Sequence, residues 1–153
     1  RPASRWGTIG VRVSDAASDL RELSAVVALT HCLVVHYDRM IDEGKPLPIL
    51  QQWHVAENKW RGARYGMDAL VITSRATDER WVKDELADLV DELTPLAKEL
   101  GCARELQLVL EIIDRGAGYE RQRKQFRASG DWKSVVDMTC DELDTLLPLV
   151  DEP

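Results

Sequence analysis

Four side chains in this sequence are suited to gripping anions: Arg12, Asn58, Arg61 and Arg64. A guanidinium is planar and presents paired N–H donors that match two oxygens of a carboxylate or phosphate. Asn58, Arg61 and Arg64 follow one another at spacings of three, so on a helix they share an arc of roughly 120°. Gly66 is the residue type that most easily takes the left-handed conformation ending a helix, which places Arg64 on the last turn. Arg12 belongs to a different setting, an alternating stretch with Gly10 two residues before it. No nucleophile with an adjacent base and no close set of histidine and carboxylate stands out. The chemistry on offer is therefore an anion clamp. Phosphoryl transfer also needs carboxylates for magnesium, and no convincing cluster of them is visible, so the sequence shows half a site. A solvated basic face on an amphipathic helix is the competing reading of Asn58, Arg61 and Arg64.

The elements that must position these residues follow from periodicity. Arg5 to Asp15 alternates Ile9, Val11 and Val13 against Thr8, Gly10, Arg12 and Ser14, which predicts a long strand with one buried face. Such a strand has open edges and should need neighbours. Asp19 is a suitable N-cap for a helix ending near Gly44, with Glu22 three residues on as the reaching partner of a capping box. Between Ala25 and Val35 that helix is apolar nearly all round, so it is expected to be the most buried one. His31 and His36 are five apart, on different faces, and do not make a helical chelate. Lys45 to Pro48 is a linker, with Pro48 suited to the first turn of the helix carrying Asn58. There Ile49, Trp53, Ala56, Trp60 and Ala63 recur at four, three, four and three, which predicts that this stripe faces the core.

Ala69 to Thr73 and Glu79 to Val82 flank Ser-Arg-Ala-Thr-Asp and predict a small hairpin. A helix from Lys83 to Gly101 places Leu86, Leu89, Val90, Leu93, Leu96, Ala97 and Leu100 on one side. Another runs from about Ala103 to Asp114, buried through Leu106, Leu110 and Ile113. Between Arg115 and Arg127 there are five basic residues and one acidic. Gly116 and Gly118 precede this run, and a glycine turn at a helix N-terminus can cradle phosphate. The stronger reading is pairing with acidic faces of the same or a neighbouring subunit. Asp131 starts a final helix through Val135 to Leu147, closed by Pro148.

Composition bounds the alternatives. A chain of 153 residues fits one ordinary domain. A net charge of -7 argues against a general nucleic-acid or anionic-membrane binder. The longest apolar run falls short of the roughly 20 residues that a bilayer needs. Cys32, Cys102 and Cys140 are far apart and odd in number, fitting neither a disulfide framework nor a zinc motif, and a reducing cytoplasm is the simplest setting.

The stretches RWGTIGVRVSDAASDLREL, NKWRGARYGMDAL and RQRKQFRASGDWKSVVD, in that order and separation, resemble the C-terminal part of the carboxylate-amine ligases of the glutamate-cysteine ligase type 2 family. The resemblance implies an α+β fold similar to glutamine synthetase, of which this chain would be about the last two-fifths. This portion would be mostly helical, with one long N-terminal strand and a small hairpin. It implies an ATP- and magnesium-dependent enzyme that activates a carboxylate as an acyl phosphate for attack by an amine. Implied partners are amino-acid substrates, the N-terminal part of the same enzyme and further copies of the protein, and neither nucleic acid nor membrane. By the same resemblance Arg12 and Arg64 would meet phosphate or substrate carboxylate. Asn58 would orient the nucleotide or the loop beside it, and Arg61 would bind substrate or ATP or act as a salt-bridging support.

One departure matters. The family pattern implies glutamate two residues before Arg12, where this chain has Gly10. Loss of a metal-binding carboxylate there leaves three readings open: a ligase with an altered metal site, a catalytically silent relative that binds nucleotide or protein, or an enzyme with changed substrate preference.

Overall fold

The computed structural model describes residues 2, 3, 5, 7–11, 17 and 19–144. The α+β expectation holds, with helix dominant at 74%. Strands β1 (Pro2–Ala3) and β2 (Thr8–Ile9) pair antiparallel, Pro2 opposite Ile9. Helices α1 (Leu20–Asp42) and α2 (Gln52–Tyr65) follow, then a 3-10 turn (Gly66–Asp68) and the hairpin β3 (Leu70–Ile72) and β4 (Glu79–Trp81). Helices α3 (Val82–Leu100), α4 (Ala103–Arg115), α5 (Gly118–Ser129) and α6 (Trp132–Asp144) complete the described chain.

The core lies where α1, α3 and α4 meet. Ala25, Ala28 and Cys32 of α1 pack with Val90, Leu93, Leu96 and Ala97 of α3 and Leu106, Leu108 and Val109 of α4. The small residues on α1 recur at three and four, which lets its backbone come close to the other two helices. Asp19 caps α1 as expected, its carboxylate accepting the Arg21 N–H at 2.7 Å. Glu22, the expected reaching partner, lies against Arg121 of α5 instead. Gly101 takes the left-handed conformation that ends α3. Inside α3, Pro95 lacks the N–H that would bond one turn back, and Thr94 donates its hydroxyl to the Val90 carbonyl at 2.7 Å just beside it.

Three expectations change. The long strand over Arg5 to Asp15 reduces, among the described residues, to Thr8–Ile9, and positions 12–16 lie outside them. A strand is held by its neighbours' hydrogen bonds, and here the pairing partner is two residues long and begins with a proline that has no N–H. Helix α2 starts at Gln52 rather than near Pro48, so Ile49 belongs to the linker. Helix α1 is also not the most buried: Leu23, Val26, Val27 and Val34 stand 47%, 39%, 59% and 39% exposed, because α3 and α4 cover a single stripe of it. Leu147 and Pro148, expected at the end of the last helix, lie outside the described residues.

In the run from Arg115 to Arg127, Arg115 and Arg121 pair with acidic groups of the same chain, as expected for part of that run. Arg121, 11% exposed, grips both oxygens of Glu142 at 2.7 and 2.9 Å and meets Glu22 at 2.6 Å as an ion pair. Those hydrogen bonds, the Glu142 pair first, hold its pKa above the usual arginine value. Arg115 reaches Asp19 at 2.9 Å. At the glycine turn before α5, the Glu120 carboxylate accepts the Ala117 N–H at 2.8 Å, so the helix start is occupied by the chain's own anion.

Candidate functional site

Helix α2 faces the opposite way from its apolar pattern. Trp53 and Trp60 are 54% and 55% exposed and Ile49 61%, whereas His54 is fully buried. His54, Asn58 and Arg61 recur at four and three, so they lie within about 60° of one another, on an arc turned away from that of the tryptophans. What they pack against is the β3–β4 hairpin. Asn58 clamps Ile72 from both sides: its Nδ2 donates to the Ile72 carbonyl and its Oδ1 accepts the Ile72 N–H, each at 2.8 Å. Arg61 donates to the Leu70 carbonyl at 3.1 Å, to Glu57 at 2.9 Å and to Glu79 at 2.6 Å. These contacts, with Glu79 foremost, raise its pKa above the usual arginine value.

The physical reason is backbone demand. A two-strand hairpin leaves N–H and C=O groups open on both edges, and only a polar helix face can satisfy those turned toward it. An amide that both donates and accepts does this at one residue, whereas a tryptophan stripe supplies no acceptor. The apolar pattern was correct in its period and wrong in its direction.

Arg64 sits where expected, on the last turn of α2 beside Gly66. It is exposed, its guanidinium lies 5.7 Å from the centre of the Tyr65 ring, and no ion pair engages it among the described residues. Gly66 ends the helix with φ 58° and ψ -126°, a glycine conformation other than the left-handed helical one anticipated. Next to Arg61 a concavity of about 400 Å³ opens between Trp60, Tyr65 and Trp81, with Glu57 and Glu79 on its wall. Arg12 lies outside the described residues, so the structure brings together Asn58, Arg61 and Arg64 alone of the four candidates.

Sequence reasoning passed over His54. Its ring lies against that of Trp53, tilted by 57° with centres 4.0 Å apart, and neither ring nitrogen has a hydrogen-bond partner among the described residues. The helical face that holds Asn58 and Arg61, carried one turn back by four residues, reaches it. The cysteines are free thiols, in keeping with the absence of a disulfide framework in their spacing, but Cys32 on α1 and Cys102 at the start of α4 stand with sulfurs 3.7 Å apart. A separation of 70 positions along the chain hides that proximity from any spacing rule.

Among the described residues no group of three or more His, Cys, Asp or Glu gathers to hold a metal. The carboxylates nearest the arginines, Glu57 and Glu79, are both committed to Arg61. What the arrangement can do is hold an oxyanion at Arg64, on a helix end braced by the hairpin.

Comparison with known proteins places these features in a lineage. A protein of Corynebacterium glutamicum (strain R) named "Putative glutamate--cysteine ligase 2" is 70% identical over 149 residues, covering 97% of this chain and 40% of the relative. A "Putative glutamate--cysteine ligase 2-2" of Rhodococcus jostii (strain RHA1) is 55% identical over 95% of this chain and 39% of its own. A "Putative glutamate--cysteine ligase 2" of Mycobacterium tuberculosis (strain ATCC 25177 / H37Ra) is 51% identical over 94% and 38%. The chain thus spans about two-fifths of the length of these curated relatives, consistent with a C-terminal part. No solved structure matches it. The model for glutamate-cysteine ligase family 2 (GCS2) matches residues 1–138, from the first strand through α5 and into α6, and the chain belongs to that family.

Proposed function

We propose that these residues form part of an ATP-dependent carboxylate-amine ligase of the glutamate-cysteine type. The observation that carries this reading is the family match along nearly the whole chain, which includes the helix end presenting Arg64. In this reading the complete protein activates a carboxylate as an acyl phosphate, and an amine displaces the phosphate. Arg64 holds phosphate or carboxylate oxygens through its paired N–H donors, and Arg12 does the same from the segment before α1. Asn58 and Arg61 fix the helix on which Arg64 stands, through Ile72, Leu70 and Glu79. ATP and magnesium are the proposed cofactors. The described carboxylates do not fit a magnesium site, so its ligands would come from elsewhere in the protein. A glutamine-synthetase-like fold, a cytoplasmic setting and a homo-oligomer belong to the same proposal.

The test uses the full-length protein. With ATP, magnesium, glutamate and a panel of amines, ADP and ligated product should form together and require the amine. Arg64→Ala should lower turnover by about 100-fold, the scale of losing one group that holds transition-state charge. Its unfolding midpoint should stay unchanged, since the side chain is exposed. Full activity in Arg64→Ala would remove the helix end from the site, and amine-independent ATP use would remove the ligase reading.

A second reading, a silent relative that binds nucleotide or protein, is favoured by Gly10 alone. It predicts nucleotide binding without ADP formation at any magnesium concentration; an unchanged magnesium dependence of nucleotide binding in Gly10→Glu would place position 10 away from the metal and remove the ground for this reading.

A further inference from the structure

The side of α1 turned away from the core is a continuous apolar seat. Leu23, Val26, Val27, Thr30 and Val34 lie on one face of the helix at spacings that keep the helical period. With Gly7 and Val11 of the N-terminal segment they line a concavity of about 570 Å³. Among the described residues no Asp, Glu, Lys or Arg lines it, in a chain of which 31% is charged, and His31 is its one ionisable lining side chain. Thr30 adds no unmet polar group, because its hydroxyl donates to the Val26 carbonyl at 2.7 Å. A contiguous, mainly aliphatic concavity on an otherwise charged molecule marks a surface meant to be covered.

We propose that the occupant is an aliphatic face of the chain portion that the curated relatives possess beyond the two-fifths matched here. Three observations select it. The matched relatives are more than twice as long as the segment they share with this chain, so each has a large unmatched portion. Gly7 and Val11 of the N-terminal segment line the concavity, so chain joined to that segment is within a few residues' reach of it. A second copy of this chain would bring a net charge of -7 against -7, which opposes association through an uncharged patch. The seat itself selects mainly Val, Ile or Leu side chains from a helix or sheet face, since away from His31 a charged partner group would find no counter-ion among the described lining residues.

The inference rests on the reading that the working protein is longer than these residues. Neither measurement below involves turnover, so a silent protein passes it and an active protein with an open α1 face fails it. In full-length Val27→Cys, alkylation followed peptide by peptide by mass spectrometry should be slower than in the urea-unfolded protein by about 100-fold or more. Cys140, exposed on α6, is the internal reference and should be slowed far less. In full-length Val26→p-benzoylphenylalanine, irradiation should give a crosslink within one chain, to a residue ahead of Arg1. Alkylation of Val27→Cys at the rate of the unfolded protein overturns the proposal. So does a crosslinked product of doubled mass, which would make the occupant a second copy.

Discussion

Gly66 couples two elements through the space its missing side chain leaves. A Cβ there would lie 2.1 Å from the Tyr119 hydroxyl oxygen, in a backbone conformation with φ 58° that L side chains rarely adopt. Tyr119 on α5 uses that proximity: its hydroxyl accepts the Met67 N–H at 3.1 Å, tying the turn after α2 to the helix 52 residues on. Gly66→Ala should therefore destabilise by roughly 2–4 kcal/mol, combining backbone strain with the clash. Urea unfolding measures it, and adding Tyr119→Ala should restore the steric share only. A loss below about 0.5 kcal/mol would show that the turn yields freely. Cys32 gives a pH signature at the same scale. Burial first, and the Cys102 thiol second, push its pKa from 9.0 up to about 11. Below pH 9 the folded and unfolded chains both keep the proton, so this group adds no pH dependence. Between about 9 and 11 the unfolded chain releases it while the folded chain retains it, so stability falls as pH rises through that window. Cys32→Ala should flatten that decline, whatever its effect at neutral pH, and urea midpoints across the window read it directly. At this scale the sequence disclosed residue types better than roles. Asn58, Arg61 and Arg64 were chosen correctly as polar groups on one helix, but nothing in their spacing says that two of them face a hairpin.

Elements were legible where local chemistry decides them. The α1 cap at Asp19, the stop of α3 at Gly101 and the two hairpin strands all follow from residues within a few positions of the boundary. The orientation of α2 was not, because it depends on what the hairpin's backbone lacks rather than on what the helix carries. Asn58→Ala isolates that dependence. It leaves the Ile72 N–H and carbonyl without their amide partner and should destabilise by roughly 1–3 kcal/mol. Amide exchange at Ile72 should accelerate more than at Val90 in the core, and equal acceleration at both would mean that the hairpin is not separately held. The Arg5 to Asp15 strand was over-read for a related reason: alternation shows that a segment can pair, not that a partner is present.

On the scale of the whole molecule, the three-helix core of α1, α3 and α4 is joined to α5 and α6 largely through charge. Arg121 and Arg115 bring Asp19, Glu22 and Glu142 together from α1 and α6, with Arg121, Glu22 and Glu142 each near one-tenth exposed. Such a knot gives direction rather than great strength, since desolvation offsets much of the attraction. It fixes α6 against the start of α1, the end from which the segment bearing Arg12 departs. The periodicity of α1 announced apolar residues on more than one face, and the described residues provide cover for one of them. That surplus is what a chain spanning two-fifths of its relatives should show.

The exposed tryptophans carry a practical consequence. Trp53, Trp60, Trp81 and Trp132 are between 50% and 68% open, so four indoles already sit in contact with water while the core is intact. Their emission is therefore a poor gauge of whether these helices are folded. It is instead a sensitive gauge of whether other surfaces have closed over them, with a blue shift on closure and little change when the core of α1, α3 and α4 melts.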